Sequence, residues 1–154
     1  IVEAVTACIN ALVEEGRVEC TYVPVDCEGR VSVAHVAAAV SASTILVTIM
    51  HSNNEVGSLQ PVAEIAAAVR AKSHSLLIHT DAAQSIGKVP VDVTNLDVDL
   101  LTLVGHKFGA PKGVAALYVR NRLRLPNLLY GGGQENGLRA GTECVLLQVA
   151  LGKA

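Results

Sequence analysis

The segment LVGHKFGAPKG, residues 103–113, places two lysines five positions apart behind an apolar run. Lys107 follows LLTLVGH, so a buried strand delivers it to one edge of a sheet. Burying an ammonium is costly, so a lysine in such a place either does chemistry or snorkels out of the loop to water. A desolvated lysine can shed its proton and form a Schiff base with a carbonyl. His106 beside it can bind a phosphate or close over a ligand; a histidine hydrogen-bonded in a turn is the plain alternative. Lys112, between Pro111 and Gly113, reads as a solvated turn residue.

Asp81 ends a second apolar strand and is followed by two alanines and Gln84, small residues that let something approach closely. An aspartate at a strand end often serves only as a helix cap. If residues 82–86 form a helical turn, Asp81 and Gln84 share one side of it. Asn53 and Asn54 follow a third apolar strand, where asparagines usually build turns but can also donate to a ligand oxygen. His51 and Glu55 need do no more than shape that loop. A lysine, a carboxylate and amide donors on neighbouring strand ends suit pyridoxal phosphate, whose carbonyl takes a lysine and whose pyridine nitrogen needs a carboxylate to stay protonated.

The elements that must position these residues follow from apolar periodicity. Helices are expected over 1–15, over 32–40 with Ser32 as cap, over 61–72 with Pro61 in the first turn, and in the closing run CVLLQVALGKA. Strands are expected over 18–25, 44–50, 75–81 and 99–105. TILVTIM, being β-branched and apolar throughout, reads as a strand buried on both faces of a parallel sheet. The loop before 113–120 is too short for a crossover helix, so that strand runs antiparallel to its predecessor. The pattern is that of an α/β domain with a mostly parallel sheet and helices on both faces. In such sheets ligands gather at the carboxyl ends of the strands, which selects HSNNEVG, DAAQ and GHK.

At 154 residues, 51% of them hydrophobic and 17% charged, the chain has the size of one domain and can bury a core. A net charge of −2 with scattered histidines leaves no basic stripe for nucleic acid. No apolar run approaches the ~20 residues of a membrane helix. Cys8, Cys20, Cys27 and Cys144 form neither a CxxC nor a disulfide framework, which points to a reducing compartment: the cytoplasm, with the mitochondrion as alternative. The chain opens inside one helical pattern and closes inside another, so both ends read as cuts through a longer protein.

HSNNEVG, HTDAAQSIGKVPVDV, LLTLVGHKFGAPKGVAALYVR and GGGQENGLRAGTE, in that order, resemble the class V aminotransferase-like family, in particular its cysteine desulfurase and selenocysteine lyase branch. The resemblance runs through nearly all of 18–154. It implies a three-layer PLP-transferase large-domain core over 1–154, with an N-terminal segment and a C-terminal small domain outside the chain. It further implies that Lys107 carries pyridoxal 5′-phosphate, that Asp81 pairs with its pyridine nitrogen, and that Gln84 and Asn54 contact the ring-oxygen side. His106 would join the phosphate site. Thr142 would reach the phosphate bound by a partner subunit, giving a homodimer with shared sites; a helix N-cap is its plainer role. Val104 departs from the pattern, standing where the family often has a phosphate-binding serine, and with GGGQE it leans toward the selenocysteine lyase side. The family's ring-stacking histidine and glycine-threonine loop would precede Ile1. Its sulfur-accepting cysteine and substrate-carboxylate arginine would follow Ala154, and none of the four cysteines present takes that place. Arg139 can touch substrate or partner, or simply hold a salt bridge.

The expected activity is removal of sulfur or selenium from L-cysteine or L-selenocysteine to give L-alanine, with a sulfur- or selenium-accepting protein as a further partner. Two rivals stand beside it. One is a non-catalytic PLP-fold remnant working through association. The other is a metal site of His51, His79, Asp81 and His106, in which His79 and Asp81 share a strand face. A Walker-type phosphate loop is excluded by the spacing of GHKFGAPKG.

Overall fold

The computed structural model describes residues 3–121 and 123–154. Along it run α1 (Glu3–Glu14), α2 (Val33–Ala39), β1 (Leu46–Met50), α3 (Val62–Arg70), β2 (Leu77–Asp81), α4 (Val93–Leu96), β3 (Leu100–Val104), β4 (Ala115–Val119) and α5 (Val145–Lys153). The first two residues of the helix expected over 1–15 lie outside the described residues.

The four strands form one sheet in the order β1-β2-β3-β4. β1, β2 and β3 are parallel, and β4 returns antiparallel to β3, as its short connection requires. Met50 pairs with Asp81 and Asp81 with Thr102, so β1 and β2 end level and β3 runs two residues further in the same direction, to Val104.

The core lies where α3 meets this sheet. Val62, Ile65, Ala66 and Val69 recur at helical spacing and are all buried on one stripe of α3. They pack with Val36 of α2, Val47 of β1, Ile78 of β2 and Leu101 of β3. Burial of each such Val, Ile or Leu stabilises by about 1.5–3 kcal/mol. Local chemistry marks the ends of these elements. Ser32 caps α2 by accepting from the His35 amide, and Asp92 caps the short α4 by accepting from the amides of Thr94 and Asn95.

Several expectations are corrected. Residues 18–25 form no strand; only Val25 bridges to Val31, around a turn in which the Asp26 carboxylate accepts from the amides of Glu28 and Arg30. A strand is stabilised by a paired neighbour, and among the described residues this segment has none. β1 is not buried on both faces, since Leu46 is 44% exposed. The face of β1 to β3 opposite the core carries Thr48, His79 and Thr102, joined by hydrogen bonds rather than apolar packing. Pro61 stands just before α3 as its N-cap rather than inside its first turn. All four cysteines are free and exposed. Among the described residues, no helix is long and apolar enough to cross a membrane.

Candidate active site at the carboxyl edge of the sheet

Because β1, β2 and β3 run parallel, the loops 51–60, 82–89 and 105–113 leave the same edge of the sheet. Asn54, Asp81, Gln84, His106 and Lys107 are thereby carried to one place in the fold. Thr142 lies on the exposed approach to α5, lining a cavity of about 310 Å³ with Gly113 at the end of the third loop and with Glu135, Arg139, Cys144 and Gln148. It does not cap α5, whose N-cap is Cys144, with no side-chain cap hydrogen bond.

Asp81 closes β2, and its Oδ1 accepts from the Ala83 amide at 2.9 Å. This fixes one carboxylate oxygen to the backbone, and among the described residues the other has no hydrogen-bond partner. The residues behind it turn as a single helical loop, with the amides of Ser85 and Ile86 both donating to the Ala82 carbonyl. Ala82 and Ala83 on this turn are small and buried. Gln84 stands on this turn, and its Oε1 accepts from Lys88 Nζ at 3.2 Å. Among the described residues, the two N–H donors of the Gln84 amide have no partner.

The loop after β1 is closed by the Asn53 side chain, whose Oδ1 accepts from the amides of Glu55 and Val56. Asn53 is therefore the turn-former, and the exposed Asn54 is the amide left for other work. The His51 amide donates to the Asp81 carbonyl at 2.7 Å, fastening this loop to the end of β2. His51 Nδ1 lies 2.7 Å from Ser85 Oγ, which lies 2.6 Å from Ser52 Oγ. Burial holds the His51 imidazole below the ordinary histidine value. Burial does the same to His79, partly opposed by the charge of Asp81.

Lys107 ends the single 3-10 turn Gly105–Lys107 that follows β3. Gly105 is required there by space: a Cβ on it would meet Ala110 Cβ and Leu151 Cδ1 at 2.9 Å. Of the two readings of Lys107, this chain shows the one that reaches water, since both His106 and Lys107 are exposed. Among the described residues, Lys107 has no ion pair, so its amine is not committed to a carboxylate.

The metal rival meets a different arrangement. Both ring nitrogens of His79 are taken, by Thr48 Oγ1 at 2.7 Å and Thr102 Oγ1 at 2.9 Å. Among the described residues, no group of three or more His, Cys, Asp or Glu side chains is placed to hold a metal ion. Sequence reasoning missed Ser52, Ser85 and Lys88 as supports of the site. The available signal was slight: Ser85 and Lys88 sit directly after and four residues after Gln84 in the motif DAAQSIGK.

The family model described as Aminotransferase class-V matches residues 2–154. The chain is 48% identical over 134 residues to the cysteine desulfurase IscS of Clostridium botulinum (strain Hall), covering 87% of this chain and 33% of that protein. A solved structure named NifS-like protein superposes with a TM-score of 0.96 at 40% identity, covering 99% of this chain and 42% of that one. Another, named SspA in complex with cysteine, gives a TM-score of 0.91 at 40% identity, with 99% and 44% covered. The chain thus spans about a third of the length of the curated relatives it matches.

Proposed function

The chain belongs to the class-V aminotransferase family, and on that premise we propose that it forms part of the pyridoxal phosphate-binding large domain of a cysteine desulfurase-type lyase. The reaction removes sulfur from L-cysteine, or selenium from L-selenocysteine, and leaves L-alanine. The observation that carries this reading is the convergence, on one sheet edge, of an uncommitted lysine, an aspartate with one oxygen free and two free amides. Similarity to proteins named cysteine desulfurase and to one solved with cysteine supports the sulfur chemistry.

The donor set fits pyridoxal 5′-phosphate. Lys107 would hold it covalently, the free Asp81 oxygen would accept from its pyridine N–H, and Gln84 Nε2 and the Asn54 amide would donate on its ring-oxygen side. His106, next to Lys107, would serve the phosphate. When bound, this cofactor supplies an electron sink for the carbanion formed at the substrate α-carbon. The protein residues do the rest. Asp81, held by the Ala83 amide, keeps a negative charge fixed where a protonated ring nitrogen needs it. Lys107 Nζ would also serve as the base that takes and returns protons at the substrate carbons.

Partners follow from the same reading. Thr142, on an exposed loop, would complete the phosphate site of a second copy, making a homodimer with shared sites. α5 beside it keeps Val145, Leu146 and Val149 exposed, and a helix apolar on this face is one that packs against something. A sulfur-accepting protein would take the product sulfur. The four free cysteines suit a reducing compartment, the cytoplasm or an organelle matrix.

The test is reconstitution with pyridoxal phosphate, a visible spectrum, borohydride reduction and peptide mapping. A coloured species trapped on the peptide carrying Lys107 is the expected result. Absence of any adduct on Lys107 in folded protein overturns the reading, and retained self-association without an adduct would favour the non-catalytic rival.

A further inference from the structure

We propose that the buried hydrogen-bond chain Ser52–Ser85–His51 is the device that locks the Asn54 loop onto the Asp81–Gln84 turn, and so sets the two amides of the site relative to Asp81. Ser85 follows Gln84 directly, and Ser52 precedes Asn54 by two residues. Ser85 is fully buried, and His51 and Ser52 are each 7% exposed. Ser85 Oγ is the shared atom, 2.7 Å from His51 Nδ1 and 2.6 Å from Ser52 Oγ.

A serine hydroxyl has one proton, so with two short contacts it donates to one and accepts from the other. Burial lowers the His51 pKa and so favours the neutral ring. With Nδ1 accepting, Ser52 O–H donates to Ser85 Oγ and Ser85 O–H donates to His51 Nδ1; with Nδ1–H donating, both bonds run the other way, and either order joins the three side chains. Two backbone hydrogen bonds run alongside: the His51 amide to the Asp81 carbonyl at 2.7 Å, and the Gln60 amide to the His51 carbonyl at 2.9 Å. The first joins the two loops and the second closes the Asn54 loop on itself. Removing the central hydroxyl leaves His51 Nδ1 and Ser52 Oγ buried without the partner they share, which is more costly than the loss of an exposed contact. Ser52, Ser85 and His51 act through their neighbours and are positioning residues. The coupling of the loops stands on this geometry alone; its effect on cofactor binding rests on the pyridoxal phosphate reading.

Two measurements separate the claims. In cofactor-free protein, hydrogen exchange at the His51 amide should quicken about ten-fold in Ser85→Ala and in His51→Leu. In His51→Asn, whose side-chain oxygen reaches the position of Nδ1, it should stay near the wild-type rate. With pyridoxal phosphate, Ser85→Ala and His51→Leu should bind about ten-fold more weakly and move the visible absorption maximum, while His51→Asn keeps both. Unchanged exchange and affinity in Ser85→Ala, or His51→Asn behaving as His51→Leu, overturns the proposal. A wild-type protein that takes no pyridoxal phosphate sinks the functional reading, and the exchange measurement then decides the coupling by itself. Should Ser85→Ala fail to fold, Ser52→Ala must quicken exchange in the same direction, and wild-type exchange there overturns the proposal.

Discussion

Arg70 Nη2 donates to Asp99 Oδ2 across 2.7 Å, with side-chain exposures of only 17% and 8%. The same carboxylate oxygen accepts from the Ile78 amide at 2.8 Å, so one side chain ties α3, β2 and the start of β3 together. Arg120 joins from the end of β4: its Nη2 donates to Asp97 Oδ1 at 2.7 Å, while its Nε lies 3.0 Å from Asp99 Oδ1 without hydrogen-bond alignment. All of this lies at the amino-terminal end of the parallel strands, opposite the three loops. Removing one partner of a buried pair leaves the other charge uncompensated. Asp99→Ala should therefore cost about 3–5 kcal/mol in urea unfolding, whereas breaking the exposed Arg17–Glu15 pair should cost less than about 0.5 kcal/mol. Folded Asp99→Ala protein should still be trapped on Lys107, because the pair holds the scaffold and not the site.

The buried histidines predict the pH dependence. His51 and His79 are both held below the ordinary value by burial, which lies at about 6.5 in the unfolded chain. As pH falls below about 6.5, the unfolded chain binds protons that the folded chain refuses. The stability contributed by these groups is complete above that pH and is lost as pH falls through their folded values. Urea midpoints should decline from pH 7 toward pH 5, and the combined His51→Asn, His79→Asn variant should flatten that slope. Asp97 adds a separate step at lower pH. Burial pushes its carboxyl up, but the Arg120 hydrogen bond and the charges of Arg70 and Arg120 outweigh this and leave it low. Its contribution is present above the ordinary carboxylate range and is lost as pH falls below it. A flat stability profile from pH 7 to 5 would contradict the first step.

Gly105 is predicted to be irreplaceable for steric rather than conformational reasons. A methyl group there would meet Ala110 Cβ, Leu151 Cδ1 and Val114 Cγ1 at 2.9–3.0 Å, and the Cβ of buried Ala110, fixed on its backbone, cannot swing aside. Gly105→Ala should lower stability by about 1–3 kcal/mol in thermal or urea unfolding. It should also cut the yield of the Lys107 adduct, since Lys107 is carried on the turn that begins at Gly105. The shorter side chain of Leu151→Ala should partly restore both.

The parallel core strands, the antiparallel return of β4 and the three loops were legible because each rests on a local signal: an apolar run, a short connection, or polar residues concentrated in an apolar chain. The strand expected over 18–25 failed because its period-2 apolar pattern says nothing of whether a neighbour exists to pair with it. Whether Lys107 is desolvated or reaches water was left open by the sequence for a like reason, since the strand before it fixes its place in the fold but not what covers it. Ser85 was invisible for the opposite reason. A serine after a glutamine carries no pattern, and its role appears only when a loop thirty-odd residues earlier in the chain brings His51 and Ser52 against it.

Asp81→Asn separates the structural role of this residue from its proposed chemistry. The amide retains an oxygen to accept from the Ala83 N–H, as the carboxylate does at 2.9 Å, so the turn is kept and unfolding should move by no more than about 0.5 kcal/mol. What is lost is the fixed negative charge that would hold a pyridine nitrogen in its protonated form. Borohydride should still trap pyridoxal phosphate on Lys107, because the lysine is untouched. Turnover of L-cysteine to alanine by the loaded enzyme should fall by about 10²-fold or more, the usual scale for removing a preorganised electrostatic partner. Asp81→Ala should lose the turn as well and show both a lower unfolding midpoint and weaker cofactor binding. Equal turnover in Asp81→Asn and wild-type protein would remove Asp81 from the proposed role while leaving Lys107 in place.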